Sequence, residues 1–562
     1  MHMRQLLLTI FTLLTLEPYG QAQCPSGNVL LPDQEAVDQF IIDYPDCTNV
    51  NGLLRLGGLV NDINNLQPLQ YIESVGGLTI GKTQLVSLEG LNNLQVVNGS
   101  VEILNNDHLI TLQGLNDLSS AYHLFVSYNP LLQSLEGLDN LTLVQVSVSI
   151  SNNDSLTNLK GLESLETIST GIGGELYISA NSSLVNLEGL EGLHDIGGQL
   201  NIRDNDALVN LKGLDNLISV GGNFRIDGNE ILENLSGLNS LVSVNYQTGY
   251  LQINSNPSLM SLEGLEQVTE SGTLHIINNN SLTNLNGLNG LTTIIEPGDL
   301  KIEYNESLTS FEGLNNLHRV GRDTFIIGNP SLTSLQGLNG FQVAGCHLAI
   351  NNNNSLLNFN GLENLSQIVN FNCPVVGARI QVMNNPNLQD MEALSNLTQI
   401  NQLVFPEIIN NSNLTDLQGL QNIPAHKFGN LKLQSSQNLS GCNLPNICAY
   451  LSGSGNNLIE NNAPGCNSVE EILNVCALSA EDLSLQSSIE IYPNPVKNDL
   501  YINYKQDVQI ERVLIYDSSG KLIYSSTDKI NQINLSGLSS GIYTLFIRTK
   551  DGKNRIQKII KQ

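Results

Sequence analysis

Seven histidines follow residue 20 of the chain, at His108, His123, His194, His275, His318, His347 and His426. None falls in an H-x-x-x-H or H-E-x-x-H pattern, the spacing that puts two imidazoles on one helix face around zinc. A hydrolase would need a nucleophile beside a base, or paired carboxylates in a cleft, and the chain has no G-x-S-x-G elbow. Glu89, Glu136, Glu188, Glu263 and Glu312 each follow a leucine at the same place in a recurring string. Regular placement of that kind reads as a solvated ridge, not as an acid/base pair. The acidic turn Asp204-Asn205-Asp206 lacks the spacing of a calcium loop and reads as a polar turn. No metal or cofactor is therefore expected. The residues left as candidates for chemistry are a basic group, Arg225, His275 and Lys301, flanked by Tyr177 and Phe325. Their promise lies in recognition, and it depends on what brings positions so far apart in sequence onto one face.

The positioning element is a repeat. Leu-x-Gly-Leu or a close variant begins at Leu88 and recurs fourteen times up to Leu417, at intervals of 23 to 32 residues. A period of this size predicts a solenoid, one coil per repeat. The stretch Leu200 to Leu217 shows the full pattern, L-x-I-x-x-N-x-x-L-x-x-L-x-G-L-x-x-L. Its opening L-x-I alternates with period two and predicts a short strand with both aliphatics inward. Successive strands share a polarity and must stack as a parallel sheet, so fourteen coils at ~4.8 Å would make a rod roughly 65 Å long. Each inward aliphatic is worth ~1.5–3 kcal/mol when buried, but no coil can cover its own open ends.

Three places after the inward Ile or Val stands a column of asparagines: Asn106, Asn129, Asn153, Asn181, Asn205, Asn229, Asn256, Asn279, Asn305, Asn329, Asn353, Asn385 and Asn411. A turn leaving a strand exposes backbone donors and acceptors to the coil interior, and an inward carboxamide can serve both. The column keeps its phase with or without a following serine, so the N-x-Ser strings at Asn153, Asn181, Asn279, Asn305 and Asn353 read as structural, not as glycan acceptors. The motif glycine predicts a tight corner needing positive φ or close backbone approach. Between the inward pair of each strand lies one outward residue, and this column varies where the others are uniform. It contains Tyr177, Asn201, Arg225, Gln252, His275, Lys301 and Phe325.

The pattern resembles leucine-rich repeats, and more closely the receptor L-domain, on the step Ile196-Gly197-Gly198-Gln199-Leu200-Asn201-Ile202 and the L-x-x-L-x-G-L-x-x-L that follows. The resemblance covers roughly residues 49 to 435 and implies a mainly β, right-handed solenoid. The chain carries more coils than such domains do, and no ligand is carried over.

The ends read differently. Residues 1–22 have the basic flank, apolar run and small-x-small site of a secretory signal peptide, and no other stretch is long and apolar enough to span a membrane. Eight cysteines in an exported chain predict disulfides. Cys24–Cys47 would close an N-terminal cap over residues 23–48, with a helix near Asp33 to Phe40. Cys346–Cys373 would staple neighbouring coils. Cys442–Cys448 and Cys466–Cys476 would hold a C-terminal cap over residues 436–478, ahead of a linker at 479–488.

From Ile489 the repeat stops. Residues 489–562 hold 11 Lys+Arg against 7 Asp+Glu, about +4, whereas the whole chain is at −29, so the residues before them sit near −33. An acidic rod repels phosphate backbones, which argues against nucleic acid and anionic membranes as partners. Alternating strand patterns with Gly and Asn-Asp turns predict a small β-sandwich over 489–562. The strings Ile491-Tyr492-Pro493-Asn494-Pro495-Val496, Val513 to Lys521, Leu535 to Tyr543 and Lys558-Ile559-Ile560-Lys561 together resemble the C-terminal sorting domain of the type IX secretion system. That resemblance implies export to the cell surface or exterior, with the secretion machinery and a sortase-like peptidase as partners. The Leu535-Ser536-Gly537-Leu538 string lies in this tail and is not read as a coil. The sequence as a whole predicts a non-catalytic recognition or adhesion protein that binds an extracellular protein or glycan. The alternatives are a carbohydrate-active enzyme on a parallel β-helix and a structural surface spacer.

Overall fold

The structure is a computed structural model that describes residues 24–562 apart from 59, 170–172, 245–248, 370–376, 454, 477–487, 506–507, 518–520, 528–530 and 552. The signal peptide and the linker thus lie outside the described residues, save Ser488.

Seventeen parallel pairings run in unbroken succession from Val29–Leu31 to Leu458–Glu460, each strand beside the corresponding strand one coil on. At ~4.8 Å per step the ladder is about 80 Å long. A second parallel ladder of short strands, such as Asp195–Ile196 and Ser219–Val220, forms an adjoining wall of the coils as far as Gln399–Ile400. The coils lengthen between this short strand and the long one that follows it. Ile294 and Leu300, for example, are further apart than Ile196 and Leu200.

The inward alternation is as the repeat implies. Leu200 and Ile202 are wholly buried, as are Leu208, Leu211, Leu214 and Leu217, and Val220 nearly so. Corner turns close with i→i+3 bonds, Leu214 N–H to Leu211 O at 3.2 Å and Leu217 N–H to Leu214 O at 3.0 Å. One apolar core runs through every coil, from Val29 to Ile472.

The rod has about 17 turns, not fourteen, because coils at each end lack the motif. Before Leu88, Leu66-Gln67-Pro68-Leu69 occupies the corner and Gln67–Leu69 is a 3-10 turn. Beyond residue 435 the ladder continues with Leu458–Glu460, pairing to Lys432–Gln434 inside the segment expected to be only a cap. The N-terminal end is closed by the helix Gln34–Asp43, capped by Asp33 Oδ1 accepting from Ala36 N–H at 2.9 Å, with Val37 and Phe40 inward. Pro445–Leu451 covers the other end with Ile447 and Leu451.

Cys24 and Cys47 are bonded. At the C-terminal end the connectivity differs from the expected local pairs: Cys442 joins Cys466 and Cys448 joins Cys476. The reason is the coil pitch. The bonded partners are 24 and 28 residues apart, about one winding, so they stack, whereas sequence-adjacent cysteines project from different places on one winding. Cys346 is buried and disulfide-bonded. Its expected partner Cys373 lies outside the described residues.

The tail is built from two antiparallel sheets, a three-stranded one with Ile489–Tyr492, Asp499–Tyr504 and Gln532–Asn534, and a four-stranded one with Leu522–Ser526, Ile510–Tyr516, Gly541–Thr549 and Asn554–Lys561. It has its own core, including Leu500, Ile502, Val513, Leu545, Ile547 and Ile559. Gly537 of the look-alike string meets nothing within 4 Å, unlike any motif glycine of the solenoid.

Candidate recognition face and its supporting ladder

All thirteen column asparagines are wholly buried. Asn205 shows the bonding: its Nδ2 donates to Ile178 O at 3.0 Å and Arg203 O at 2.9 Å, and its backbone N–H donates to Asn229 Oδ1 at 3.2 Å. Its own Oδ1 accepts from the backbone N–H and Nδ2 of Asn181 at 3.1 and 3.2 Å. Each carboxamide thereby ties three windings together. The ladder starts at Thr83, whose Oγ1 donates to Asn106 Oδ1 at 2.8 Å, and runs on past Asn411 through Ser436 to Asn462. Sequence reading missed these three: two are hydroxyls, and Asn462, although three places after the inward Ile459, lies beyond the last Leu-x-Gly-Leu. The residue before each rung takes positive φ, as at Asn105, Asp204 and Asn278, or is a glycine, as at Gly228 and Gly328.

The motif glycines from Gly90 to Gly361 meet both of their expected demands, and Gly419 meets only that of close approach. Gly213 has φ +114, and a Cβ there would lie 2.0 Å from Leu187 O of the preceding coil. Its N–H donates to Asp215 Oδ2 at 2.9 Å, and the same bond recurs from Gly90 to Asn92 and from Gly161 to Glu163. The polar residue two places after the glycine is thus a corner brace, a role the sequence reading did not assign.

This scaffold places the candidate residues on one register line. Tyr177 pairs with Asn201, Asn201 with Arg225, Arg225 with Gln252, Gln252 with His275, His275 with Lys301 and Lys301 with Phe325. All seven are half-buried. His275 and Lys301 are immediate neighbours, and Gln252 separates them from Arg225.

The group is far less basic than its composition suggests. Arg225 Nη2 lies 2.6 Å from Asp227 Oδ2. Burial, aided by the Lys301 ammonium beside it, lowers the His275 pKa to about 4, so its ring is neutral at pH 7. Lys301 Nζ stands 5.7 Å from the centre of the Phe325 ring, within cation–π range. Burial raises the pKa of the Tyr177 phenol and then Glu175 raises it further, while burial also raises that of Glu303 against the opposing pull of Lys301. Two residues before Lys301, Asp299 is buried and receives Arg322 through Nε at 2.8 Å and Nη2 at 2.6 Å, and two residues before Phe325, Asp323 accepts from His347 Nδ1 at 2.7 Å. Among the described residues, no three His, Cys, Asp or Glu side chains gather as a metal site.

The same row extends upstream. His123 stacks on Phe125 with centroids 5.3 Å apart, and a trough of about 480 Å³ lies over Gly52, Gly76 and Gly77, beside Arg55, Thr79 and Glu102. Sequence reading left this trough out, because two of the three strands that line it precede the first Leu-x-Gly-Leu.

Among the described residues no helix is long and apolar enough to cross a membrane. A leucine-rich repeat protein from Bacteroides ovatus is similar at 14% identity, over 68% of this chain and 86% of that one, with a TM-score of 0.16. No curated protein sequence matches the chain. Residues 490–562 match the secretion system C-terminal sorting domain, and with that tail behind its solenoid the chain is a type IX-secreted protein, attached to the cell surface or released from it.

Proposed function

We propose that the protein is a non-catalytic recognition module that acts outside the cell, gripping a protein or glycan with the outward row of its long sheet. The observation that carries this is the variety of the outward row on an otherwise regular sheet. Inward aliphatics, ladder amides and corner glycines repeat from coil to coil, whereas the outward residues from Tyr177 to Phe325 change at every step. A parallel sheet holds them on a rigid scaffold, as a binding surface requires. The sorting tail supplies a reason for such a surface to be displayed.

The test is a saturable-binding assay of the labelled chain on whole cells and extracellular polymers, repeated with Arg225→Glu plus Lys301→Glu. Capture should fall at least tenfold while the melting temperature stays within a few degrees. A chain that binds nothing saturably is a spacer, and undiminished capture by the double variant takes this row out of the function.

A further inference from the structure

We infer that the row from Tyr177 to Phe325 takes a neutral, hydroxyl-bearing polysaccharide laid along the solenoid axis, one sugar ring to each coil. This rests on the recognition reading above and names its ligand class.

The first observation is a set of buried polar atoms without protein partners. Asn201 Oδ1, Arg225 Nε, Asn254 Oδ1 and His275 Nε2 are all shielded from solvent and make no hydrogen bond. They lie within four successive coils on one face, the first, second and fourth on the row and Asn254 two positions along the strand from Gln252. Buried polar atoms are normally bonded, and those that are not ask for an explanation. Two of these are carbonyl acceptors, one is a donor, and one belongs to a neutral imidazole whose two nitrogens play opposite roles. A ligand meeting them must donate to the two carbonyl oxygens and accept from the Arg225 Nε–H. A hydroxyl does both, while a carboxylate or sulfate can only accept.

The second observation is charge. Arg225 is engaged by Asp227, and Glu303 lies two residues from Lys301 on its own strand. His275 carries no charge near neutrality. The rod beneath is near −33 by composition. An anionic polymer would meet repulsion with one partly screened ammonium to offset it.

The third is shape. The row crosses six pairings, about 29 Å at the spacing of parallel strands, and its register does not slip. The coil rise is close to that of one pyranose unit in an extended chain. Tyr177 stands at one end and Phe325 at the other, flat rings of the kind that stack on the apolar face of a sugar. The interval between them lacks the exposed apolar anchor on which protein partners usually seat.

The experiment is calorimetric titration of the full chain with a panel of neutral glucans, mannans, galactans and xylans, each as trimer and hexamer, with hexagalacturonate as the anionic arm. A neutral hexamer should bind at least tenfold tighter than its trimer and tighter than hexagalacturonate. Asn201→Ala and Gln252→Ala, truncations of half-buried side chains outside the ladder, should each weaken it about tenfold with the melting temperature unchanged. Equal affinity for trimer and hexamer, preference for the uronate, indifference to both substitutions, or no binding across the panel would each overturn the inference. Saturable, protease-sensitive binding to cells without saccharide binding overturns this inference and leaves the recognition reading standing. No saturable binding of any kind overturns both.

Discussion

At the scale of single residues, stability rests on side chains that serve more than one winding. Removing the Asn205 carboxamide takes away the acceptor used by Asn181 and the donors used by Ile178 and Arg203. Each buried group left unpaired costs ~1–3 kcal/mol, so Asn205→Ala should destabilise the solenoid by roughly 3 kcal/mol or more in urea unfolding. Asn210→Ala is the control: its Oδ1 bonds Lys212 N–H in an exposed turn, and the loss should stay under about 1 kcal/mol. The glycines allow a second comparison. Gly213 and Gly173 both have strongly positive φ, +114 and +125, but only Gly213 would drive a Cβ into backbone, whereas Gly173 faces open space. Gly173→Ala should cost about 1–3 kcal/mol from φ alone, and Gly213→Ala clearly more, because the preceding coil must move. Equal midpoints for the two variants would mean that positive φ, and not coil contact, is what selects glycine at the corner.

At the scale of the element, the sequence exposes whatever recurs and hides whatever depends on the ends. The inward aliphatics, the Asn column and the corner glycines were legible because the solenoid demands the same solution every winding. Thr83, Ser436 and Asn462 were not, because two of them are hydroxyls in place of the carboxamide and all three stand outside the run of Leu-x-Gly-Leu strings. The C-terminal disulfides were misread for a related reason. Proximity along the chain was taken as proximity in space, although in a coil the neighbour is one pitch away. Peptide mapping without reduction should recover a Cys442–Cys466 link and a Cys448–Cys476 link, and a Cys442–Cys448 peptide would contradict the capping coil described above. Charge on the outward row was misjudged too, since composition reports an arginine, a histidine and a lysine but not the burial and the Asp227 contact that subdue them. The His275 shift has a direction that can be measured. Its folded-state pKa, about 4, lies below the ordinary 6.5, so the neutral ring is favoured in the fold. That contribution is complete above pH 6.5 and drains away as pH falls toward 4. The urea midpoint of the parent chain should therefore drop more between pH 7 and pH 4.5 than that of His275→Gln. Parallel loss in the two chains would place the imidazole in solvent.

At the scale of the whole molecule, the chain carries two cores that share no residue: one threads the coils from Val29 to Ile472, the other fills the sandwich from Ile489 to Ile559. The recurring motif made the first visible, and the change of composition at Ile489 made the second visible. The face that joins them to function was legible only as a column of variable positions. A repeat protein gains its stability from nearest-neighbour interfaces and needs its terminal coils covered, so the two ends of the solenoid should respond differently from the tail. Deleting residues 489–562 removes the second core entirely and should leave the thermal transition of the solenoid within about two degrees of the parent, because stabilities of independent units add. Deleting everything after residue 435 is a different act. It removes Leu458–Glu460 from the ladder, the Pro445–Leu451 helix with Ile447 and Leu451, and both C-terminal disulfides, and so uncovers the coil around Leu431, Leu433 and Leu439 or cuts into it. An uncapped parallel edge above an open apolar core invites pairing with another chain. The shorter chain should elute as soluble aggregate or precipitate where the longer one remains monodisperse in size-exclusion chromatography with light scattering. If both deletions stay equally soluble and melt together, residues 436–478 are not a cap, and the solenoid ends where its motif does.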